Sequence, residues 1–282
     1  MGGVFDSSST ATRRYNTPAP CSTQNCRPDL PSKVTSPRFF SSRPLPRIFS
    51  TGTTIDVGDT VARHLQVLRI AAGETITLFD GVGGEFTAVI VDITKRGAIV
   101  MLGGFDPIER EAPINITLAQ SLATSDKMDL IVQKAVELGV TAVMPIVTAR
   151  STLKLDGERA EKRTRHWQAV AVAACEQCGR NRVPLVHALQ SLDHWLDAGG
   201  NANVAMLHPG VEKSLLASVD ASAPITLLIG PEGGFAPDEV SRAMTRGVVP
   251  ASFGPRTLRT ETAGLAAIAA LAACFGDLGG NL

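Results

Sequence analysis

The chain has 282 residues, a formal net charge of zero and 44% hydrophobic residues. This length accommodates two domains with separate cores, whereas the zero net charge excludes binding of a polyanion through the field of the whole protein and leaves only local basic patches. No apolar run approaches the roughly 18 residues that span a bilayer, which predicts no membrane partner, and five cysteines without framework spacing argue against a secreted disulfide scaffold.

Residues 1–36 differ in composition from the rest of the chain. They are rich in Ser and Thr, contain several prolines and have few acidic side chains. Such a segment buries too little apolar surface to offset the entropy of ordering, which predicts a disordered tail or a start codon assigned too far upstream. The Arg-containing, acid-poor composition also fits an organelle transit peptide. We therefore expect a cytoplasmic protein, with an organellar location as the alternative if this segment is a transit peptide.

Residues 37–105 have the pattern of a small β-barrel. The sequence PRIF at residues 46–49 is predicted to open it, and a near copy, PRFF, lies upstream at residues 37–40. Short apolar or alternating runs separated by glycines favour a barrel or sandwich. These runs lie at 75–79, 86–93 and 98–102.

A helical stretch at residues 61–69 places Arg63, His64 and Arg69 beside an apolar stripe. Such charges form a solvated face in many proteins, and they are equally suited to contact a phosphate backbone. The sequence leaves both interpretations open. The polar, proline-bounded segment at residues 106–113 is predicted to be the domain linker.

From residue 114 to residue 282, strand-type apolar runs alternate with helical patterns. This alternation predicts an α/β domain with a mainly parallel sheet covered on both faces. Strands are predicted at 114–119, 140–147, 204–207, 225–229 and 248–253. Helices are predicted at 125–138, 158–178, 237–246 and 262–275.

Cys175 and Cys178 have the C-x-x-C spacing of redox pairs and zinc ligands. A redox pair normally opens a helix after a strand, and a zinc site needs further Cys or His ligands at matching spacing. This pair instead ends a long helical pattern and has no second pair. The pattern favours two cysteines on a helix face and no metal site, with a redox or zinc protein as the less favoured alternative.

Two loops rich in Gly and Pro follow predicted strands, at residues 230–235 and 253–262. Strand ends of this kind bind ligands in open α/β sheets, and glycine permits close approach of the backbone. The first loop, GPEGGF, has neither the Lys-Ser/Thr of a P-loop nor the G-x-G-x-x-G of a dinucleotide site. Arg259 and Glu261 in the second loop are costly at the end of an apolar sheet unless they are used. We predict one ligand pocket from both loops; two tight turns are the alternative.

Five motifs lie in order between residues 45 and 275: PRIF…GD…HLQVLR, KMDLIVQKAVELGV, HWQAVAVAACEQCGR, LIGPEGGF and FGPRTLRTETA. Together they resemble the 16S rRNA uridine N3-methyltransferases, which belong to the trefoil-knotted (SPOUT) class that uses S-adenosylmethionine. The resemblance implies a knotted α/β methyltransferase domain after a PUA-like RNA-binding barrel. It also implies a homodimer whose sites lie near the interface.

The resemblance further implies where S-adenosylmethionine binds, namely at one strand end and both loops. The implied cofactor-binding residues are Leu207, His208, Ile229, Gly230, Pro231, Glu232, Gly233, Gly234, Phe253, Gly254, Leu258, Thr260 and Thr262.

For the methylation of uracil N3, a positive group must stabilise the uracil anion. We assign this role to Arg259, and we assign Glu261 either the role of base or that of a support for Arg259. The substrate implied is 16S rRNA, within an assembled or assembling small subunit, held by local patches in a salt-sensitive manner. Candidate RNA contacts are Lys127, Gln177 and Arg180 at the site and Arg47, His64 and Arg69 on the barrel.

Two other functions are compatible with the same fold. A knotted methyltransferase can modify a ribose 2′-oxygen or a tRNA base instead of uracil N3. A non-catalytic RNA-binding protein of ribosome assembly can also retain a knot. Methylation mapping separates the first from the main hypothesis, and donor binding separates the second.

Overall fold

The computed structural model describes residues 36–94, 96–151, 153, 155–199 and 202–279. The extension interpreted as a tail or transit peptide lies outside the described residues, apart from Ser36. The residues from Ser36 onward cluster into one unit that contains two sheets. Each sheet has its own hydrophobic core.

The first sheet has five strands and carries one helix. Its elements are β1 (Arg38–Phe40), β2 (Thr54–Asp56), α1 (Gly58–Val67), β3 (Thr75–Phe79), β4 (Glu85–Thr94) and β5 (Gly97–Asp106). The strand order is β1-β3-β4-β5-β2, in which β1 runs parallel to β3 and the other neighbours are antiparallel. The buried face of α1, with Val61 and Leu65, belongs to the same core as the inward residues of the strands.

The opening strand lies at the upstream copy of the repeated motif. The prediction that residues 46–49 open the barrel is wrong, because they form bends and irregular chain in which Ile48 is 96% exposed. Phe39 is buried in the barrel core and pairs with Leu78 of β3. Phe49 only packs its ring against Phe86, with centroids 5.5 Å apart. The copy that buries its aromatic ring in the core becomes the strand.

The second sheet is entirely parallel and alternates with helices. Its strands are β6 (Ile116–Ser121), β7 (Ala142–Val147), β8 (Leu185–Val186), β9 (Gln190–Ser191), β10 (Val204–Leu207), β11 (Ile225–Ile229) and β12 (Val249–Ala251). Its helices are α2 (Ser125–Glu137), α3 (Gly157–Cys178), α4 (Leu192–Asp197), α5 (Leu215–Ser218), α6 (Pro237–Thr245) and α7 (Thr260–Phe275). The order is β12-β10-β11-β6-β7-β8, and β9 also pairs with β7.

Two separate clusters of buried apolar residues belong to this sheet, as expected when helices cover both faces. The order brings β10 and β11 side by side in parallel, so that both strands end at the same edge. The loop after β11 and the start of α7 therefore meet the end of β10. None of the described helices is long and apolar enough to cross a membrane.

Candidate functional site

A cavity of about 550 Å³ opens where β10 and β11 end. Residues 229–235, which finish β11 and follow it, form one wall, and residues 257–260, which lead into α7, form another. Residues 207–209 at the end of β10 complete the ring, together with Lys127 of α2 and Ala263 of α7. The predicted pocket between the two glycine loops is therefore present.

The hydroxyl of Thr260 joins the two loops. Its Oγ1 donates a hydrogen bond of 2.6 Å to the carbonyl of Gly230 and accepts one of 2.9 Å from Nε2 of Gln120 at the end of β6. Thr260 and Gln120 are both buried. Such bonds between buried groups fix the relative position of the loops, because a group that lost its partner would remain away from water.

Glycine is required in the first loop for two different reasons. At Gly230, an added Cβ would lie 3.0 Å from the ring of Phe235, which already packs there. At Gly234, φ is +67°, a conformation that L side chains rarely adopt, and an added Cβ would project into open space. On the outer side, the Arg150 guanidinium donates a 2.9 Å hydrogen bond to the carbonyl of Gly233.

The charged groups at the cavity form a cluster centred on Lys127. Its Nζ lies 2.9 Å from Glu232 Oε1 and 3.3 Å from Glu261 Oε2. The hydrogen bond with Glu232, supported by Glu261, raises the pKa of Lys127 above its ordinary value. The pKa of Glu261 is lowered, first by a hydrogen bond with its own backbone amide and then by Lys127 and Arg259. The Glu261 carboxylate is therefore ionised at neutral pH, and Lys127 lies between it and Glu232.

Arg259 is the residue immediately before α7 and also lines the cavity. It is exposed and forms no ion pair with any residue that the structure describes. The cavity thus presents one cation that is neutralised by two carboxylates and a second cation that is free to meet an anionic group.

The comparisons with known proteins agree with this geometry. Residues 110–272 match the RNA methyltransferase domain family, and residues 57–101 match the RNA methyltransferase PUA domain family. The ribosomal RNA small subunit methyltransferase E of Bacillus subtilis is 30% identical over 243 residues, which cover 83% of this chain and 95% of the relative. The protein of the same name from Mycobacterium bovis is 32% identical over 223 residues, covering 76% and 84%.

The chain belongs to the ribosomal RNA small subunit methyltransferase E family. A methyltransferase E from Neisseria gonorrhoeae, solved with bound S-adenosyl methionine, is similar with a TM-score of 0.79 and 41% identity, covering 86% of this chain and 99% of that chain. A putative methyltransferase from Legionella pneumophila, also solved with the cofactor, has a TM-score of 0.78 and 34% identity, covering 87% and 100%. The predicted family and the predicted fold class, a PUA-like barrel before a knotted α/β methyltransferase domain, are confirmed.

Most of the residues predicted to bind the cofactor line the cavity of this methyltransferase E family member. Phe253, Gly254 and Thr262 do not line it: Phe253 packs against the α/β core, and the other two are exposed. The predicted residues that line it are Leu207, His208, Ile229, Gly230, Pro231, Glu232, Gly233, Gly234, Leu258 and Thr260. Those not predicted as cofactor contacts are Lys127, Pro209, Phe235, Thr257, Arg259 and Ala263. All but Pro209 lie within the quoted motifs, and Pro209 follows the predicted strand end at His208.

Arg180 has a structural role, which contradicts the prediction that it contacts RNA. Its side chain is buried, with 4% of the residue exposed. Its guanidinium donates to both the Val136 and Val140 carbonyls at 2.8 Å, and it forms a close ion pair with Glu111. Since these acceptors engage the guanidinium inside the protein, Arg180 fixes the residue after α3 to the end of α2 and to the segment before β6.

Of the other predicted RNA contacts, Lys127 lines the cavity, and the remaining four are not part of its lining. Arg47 is paired with Asp80 at 2.8 Å and stacks over the rings of the barrel, which leaves its side chain 39% exposed. His64 Nδ1 lies 3.8 Å from an oxygen of Glu176. Gln177 at the end of α3 and Arg69 after α1 are exposed. Their roles remain predictions.

The two cysteines of the C-x-x-C spacing lie in the last turn of α3. Cys175 is buried, and burial raises the pKa of its thiol to about 12. A thiol with this pKa is protonated at neutral pH, whereas a reactive or metal-binding cysteine acts as the thiolate. Among the residues that the structure describes, no group of three His, Cys, Asp or Glu side chains has the arrangement of a metal site.

Proposed function

We propose that this chain transfers a methyl group from S-adenosylmethionine to N3 of a uridine in 16S rRNA. The observation that carries the proposal is the cavity whose two walls are joined through Thr260 and Gly230, in a member of the methyltransferase E family. Both loops come from the segments that carry the family's motifs. The solved relative from Neisseria gonorrhoeae is described with S-adenosyl methionine bound.

The lining of the cavity fits such a cofactor. Leu207, Ile229 and Leu258 offer apolar surface for a flat ring, and the glycine-rich backbone offers amide and carbonyl groups for its polar edge. The position of a Cβ at Gly234 is open, with nothing within 4 Å, so the absence of a side chain keeps this wall accessible. The volume of about 550 Å³ lies within the range of small-molecule sites.

Arg259 stabilises the negative charge that develops on the uracil. The cofactor supplies an activated methyl group, so the protein mainly has to align the acceptor and make N3 nucleophilic. Uracil N3 becomes nucleophilic when its proton leaves, and the anion then has charge on the carbonyl oxygens. A guanidinium that has no carboxylate partner is available for this charge, whereas Lys127 is neutralised by Glu232 and Glu261.

Glu261 acts as a support and not as the base. A carboxylate whose pKa is lowered by its own amide and by Lys127 is a weaker proton acceptor than a free one. Its contact with Lys127 instead holds the ammonium group at the entrance of the cavity. Of the two roles predicted for Glu261, we favour support, mainly of Lys127, which it contacts directly, whereas Arg259 acts on Glu261 only through its charge.

The functional form is a homodimer that acts on an assembled or assembling small subunit in the cytoplasm. Two helices that pack together expose large apolar residues, with Leu130 of α2 44% exposed and Phe275 of α7 41% exposed. Contact with a second copy would remove these apolar side chains from water. Sedimentation of the purified full chain measures this directly, and a monomer at micromolar concentration would contradict it.

Mass-spectrometric mapping of 16S rRNA tests the function. Small subunits from cells without the gene are incubated with the purified protein and labelled S-adenosylmethionine. We expect one labelled uridine whose methyl group is on the base at N3. A methyl group on a ribose 2′-oxygen, on tRNA alone, or no transfer despite donor binding would each overturn the proposal.

A further inference from the structure

The N-terminal half of α3 carries a row of cations that the catalytic proposal does not use. Arg159, Lys162, Arg163 and His166 line a depression of about 380 Å³, together with Leu155. Their spacing of three and four residues places them on one side of the helix. We call these four residues the basic face of α3.

The cations of the basic face form few direct ion pairs in the described part of the chain, although Glu158 and Glu161 of the same helix lie beside Arg159 and Lys162. Arg159 and Lys162 are exposed and form no ion pair or side-chain hydrogen bond with any residue in the described ranges. Arg163 donates a 2.7 Å hydrogen bond to the hydroxyl of Ser125, which is uncharged. His166 alone meets a carboxylate, since its Nε2 lies 2.9 Å from Asp129 Oδ2.

This arrangement is unfavourable for the helix itself. Arg159 lies in the first turn of α3, where the positive end of the helix dipole disfavours cations. Like charges three and four residues apart repel each other by a few tenths of a kcal/mol per pair. Another cation of the same helix, Arg165, is placed to relieve such strain, because it lies 3.6 Å from Glu161. The basic face is therefore not explained by helix stability.

The basic face lies against the helix that contributes to the cavity. Arg163 holds Ser125, the first residue of α2, and Lys127 two residues later lines the cavity. Two residues correspond to about 3 Å of rise along a helix. An extended anion that contacts the basic face therefore passes the first turn of α2, one side of which faces the donor pocket.

We infer that the basic face of α3 binds the phosphate backbone of the rRNA substrate and holds the strand beside the cavity. This inference rests on the proposed function, because it takes its partner from it. The chemistry favours RNA over a protein partner: Arg and Lys without carboxylate partners suit phosphates, whereas the centre of a protein interface is depleted of Lys and rich in apolar side chains. Here only Leu155 is apolar.

The test compares the double variant Arg159→Gln/Lys162→Gln with Arg165→Gln as the matched control. The substitution Arg165→Gln removes a cation from the same helix but not from the basic face. Arg163 is left intact in both variants, so that its hydrogen bond to Ser125 persists. Binding of 16S rRNA transcribed in vitro is measured between 50 and 200 mM salt, together with the calorimetric affinity for S-adenosylmethionine and the thermal unfolding of each variant.

We expect the double variant to bind the RNA about five- to tenfold more weakly. The slope of log affinity against log salt, which is negative, should become less steep by about 1.4 to 1.8, since each of the two lost phosphate contacts contributes roughly 0.7 to 0.9. Donor affinity should remain unchanged, and the unfolding temperature should stay equal or rise. For Arg165→Gln the slope should change little.

Three results would overturn the inference. The first is a slope equal to that of the wild type, and the second is an equal change in Arg165→Gln. The third comes from the same titration repeated with assembled small subunits: a loss seen with the subunits but not with RNA would indicate a protein partner. A wild type that binds RNA through the basic face but methylates nothing would instead overturn the proposed function alone.

Discussion

Thr260→Val tests whether the link between the two loops controls donor binding. The substitution keeps a β-branched side chain but removes the hydroxyl. This hydroxyl donates a hydrogen bond of 2.6 Å to the Gly230 carbonyl and accepts one of 2.9 Å from the Gln120 amide. Gln120 keeps its second bond, to the Ser121 carbonyl, so the main loss is at Gly230. For one buried carbonyl without its donor and one lost net bond, we expect a destabilisation of about 2 kcal/mol.

This loss of about 2 kcal/mol limits the expected changes in unfolding temperature and in donor affinity. The unfolding temperature should fall by roughly 4 to 8 °C, since about 2 to 4 °C accompanies each kcal/mol in a chain of this size. The affinity for S-adenosylmethionine should fall by at most about thirtyfold, the factor equivalent to 2 kcal/mol, if the loops must come together before the donor binds. Thermal unfolding measures the first effect, and titration calorimetry with S-adenosylmethionine measures the second.

Thr262→Val is the matched control. Thr262 lies two residues later in the same helix, is exposed and does not line the cavity. It should change the free energy of unfolding by less than about 0.5 kcal/mol and leave donor affinity unchanged. If Thr260→Val behaves like this control, the link between the loops has no role in forming the pocket.

Three further substitutions test which charged side chains act in catalysis and which stabilise the fold. Arg259→Ala should keep donor affinity and lower the turnover number by about 10²- to 10³-fold. The control Arg256→Ala, in the same loop but outside the cavity, should keep a turnover number near that of the wild type. Equal turnover numbers in both variants would refute the role of Arg259. Arg180→Met should destabilise the protein by about 3 to 5 kcal/mol in urea unfolding, because it leaves Glu111 without its buried partner, and a change in RNA affinity without this loss would contradict a structural role. Burial raises the pKa of Glu176 above its ordinary 4.5, so its stabilising contribution is complete below pH 4.5 and is lost as the pH rises through the raised value. Urea titrations from pH 7 to 4.5 should therefore show the wild type gaining stability relative to Glu176→Gln, and a difference independent of pH would contradict this.

The elements that frame the pocket could be predicted from local patterns. Strands β10 and β11 have the predicted bounds, because each is a short apolar run flanked by polar or turn-forming residues. The end of α3 was also predictable, since Gly179 has the left-handed conformation, with φ of 90°, that glycine adopts most easily at a helix end. The short α4 and α5 were not predicted, because four to six residues are too few to show a helical period.

What could not be predicted depends on contacts between distant parts of the chain. The bond between Gln120 and Thr260 joins residues 140 positions apart, and neither residue type indicates the other. The two copies of the barrel motif are nearly identical, so only the packing of Phe39 in the core decides which one forms the strand. Helix α3 itself was predicted, but its row of cations could be identified as a separate face only once their partners were known.

The pairing of the cations decides where a protein of zero net charge can hold RNA. Arg180 stands in a motif and was predicted to contact RNA, yet its pairing with Glu111 means that a phosphate would have to displace a buried carboxylate. Arg259, Arg159 and Lys162 have no such partner among the described residues, and they are exposed. At an unpaired cation, a phosphate or a uracil anion gains the full electrostatic attraction. At a paired cation it gains only the excess of this attraction over that of the carboxylate it displaces. RNA should therefore follow the unpaired cations, and substitution of Arg180 should affect stability while substitution of Arg159 and Lys162 affects the salt dependence of binding.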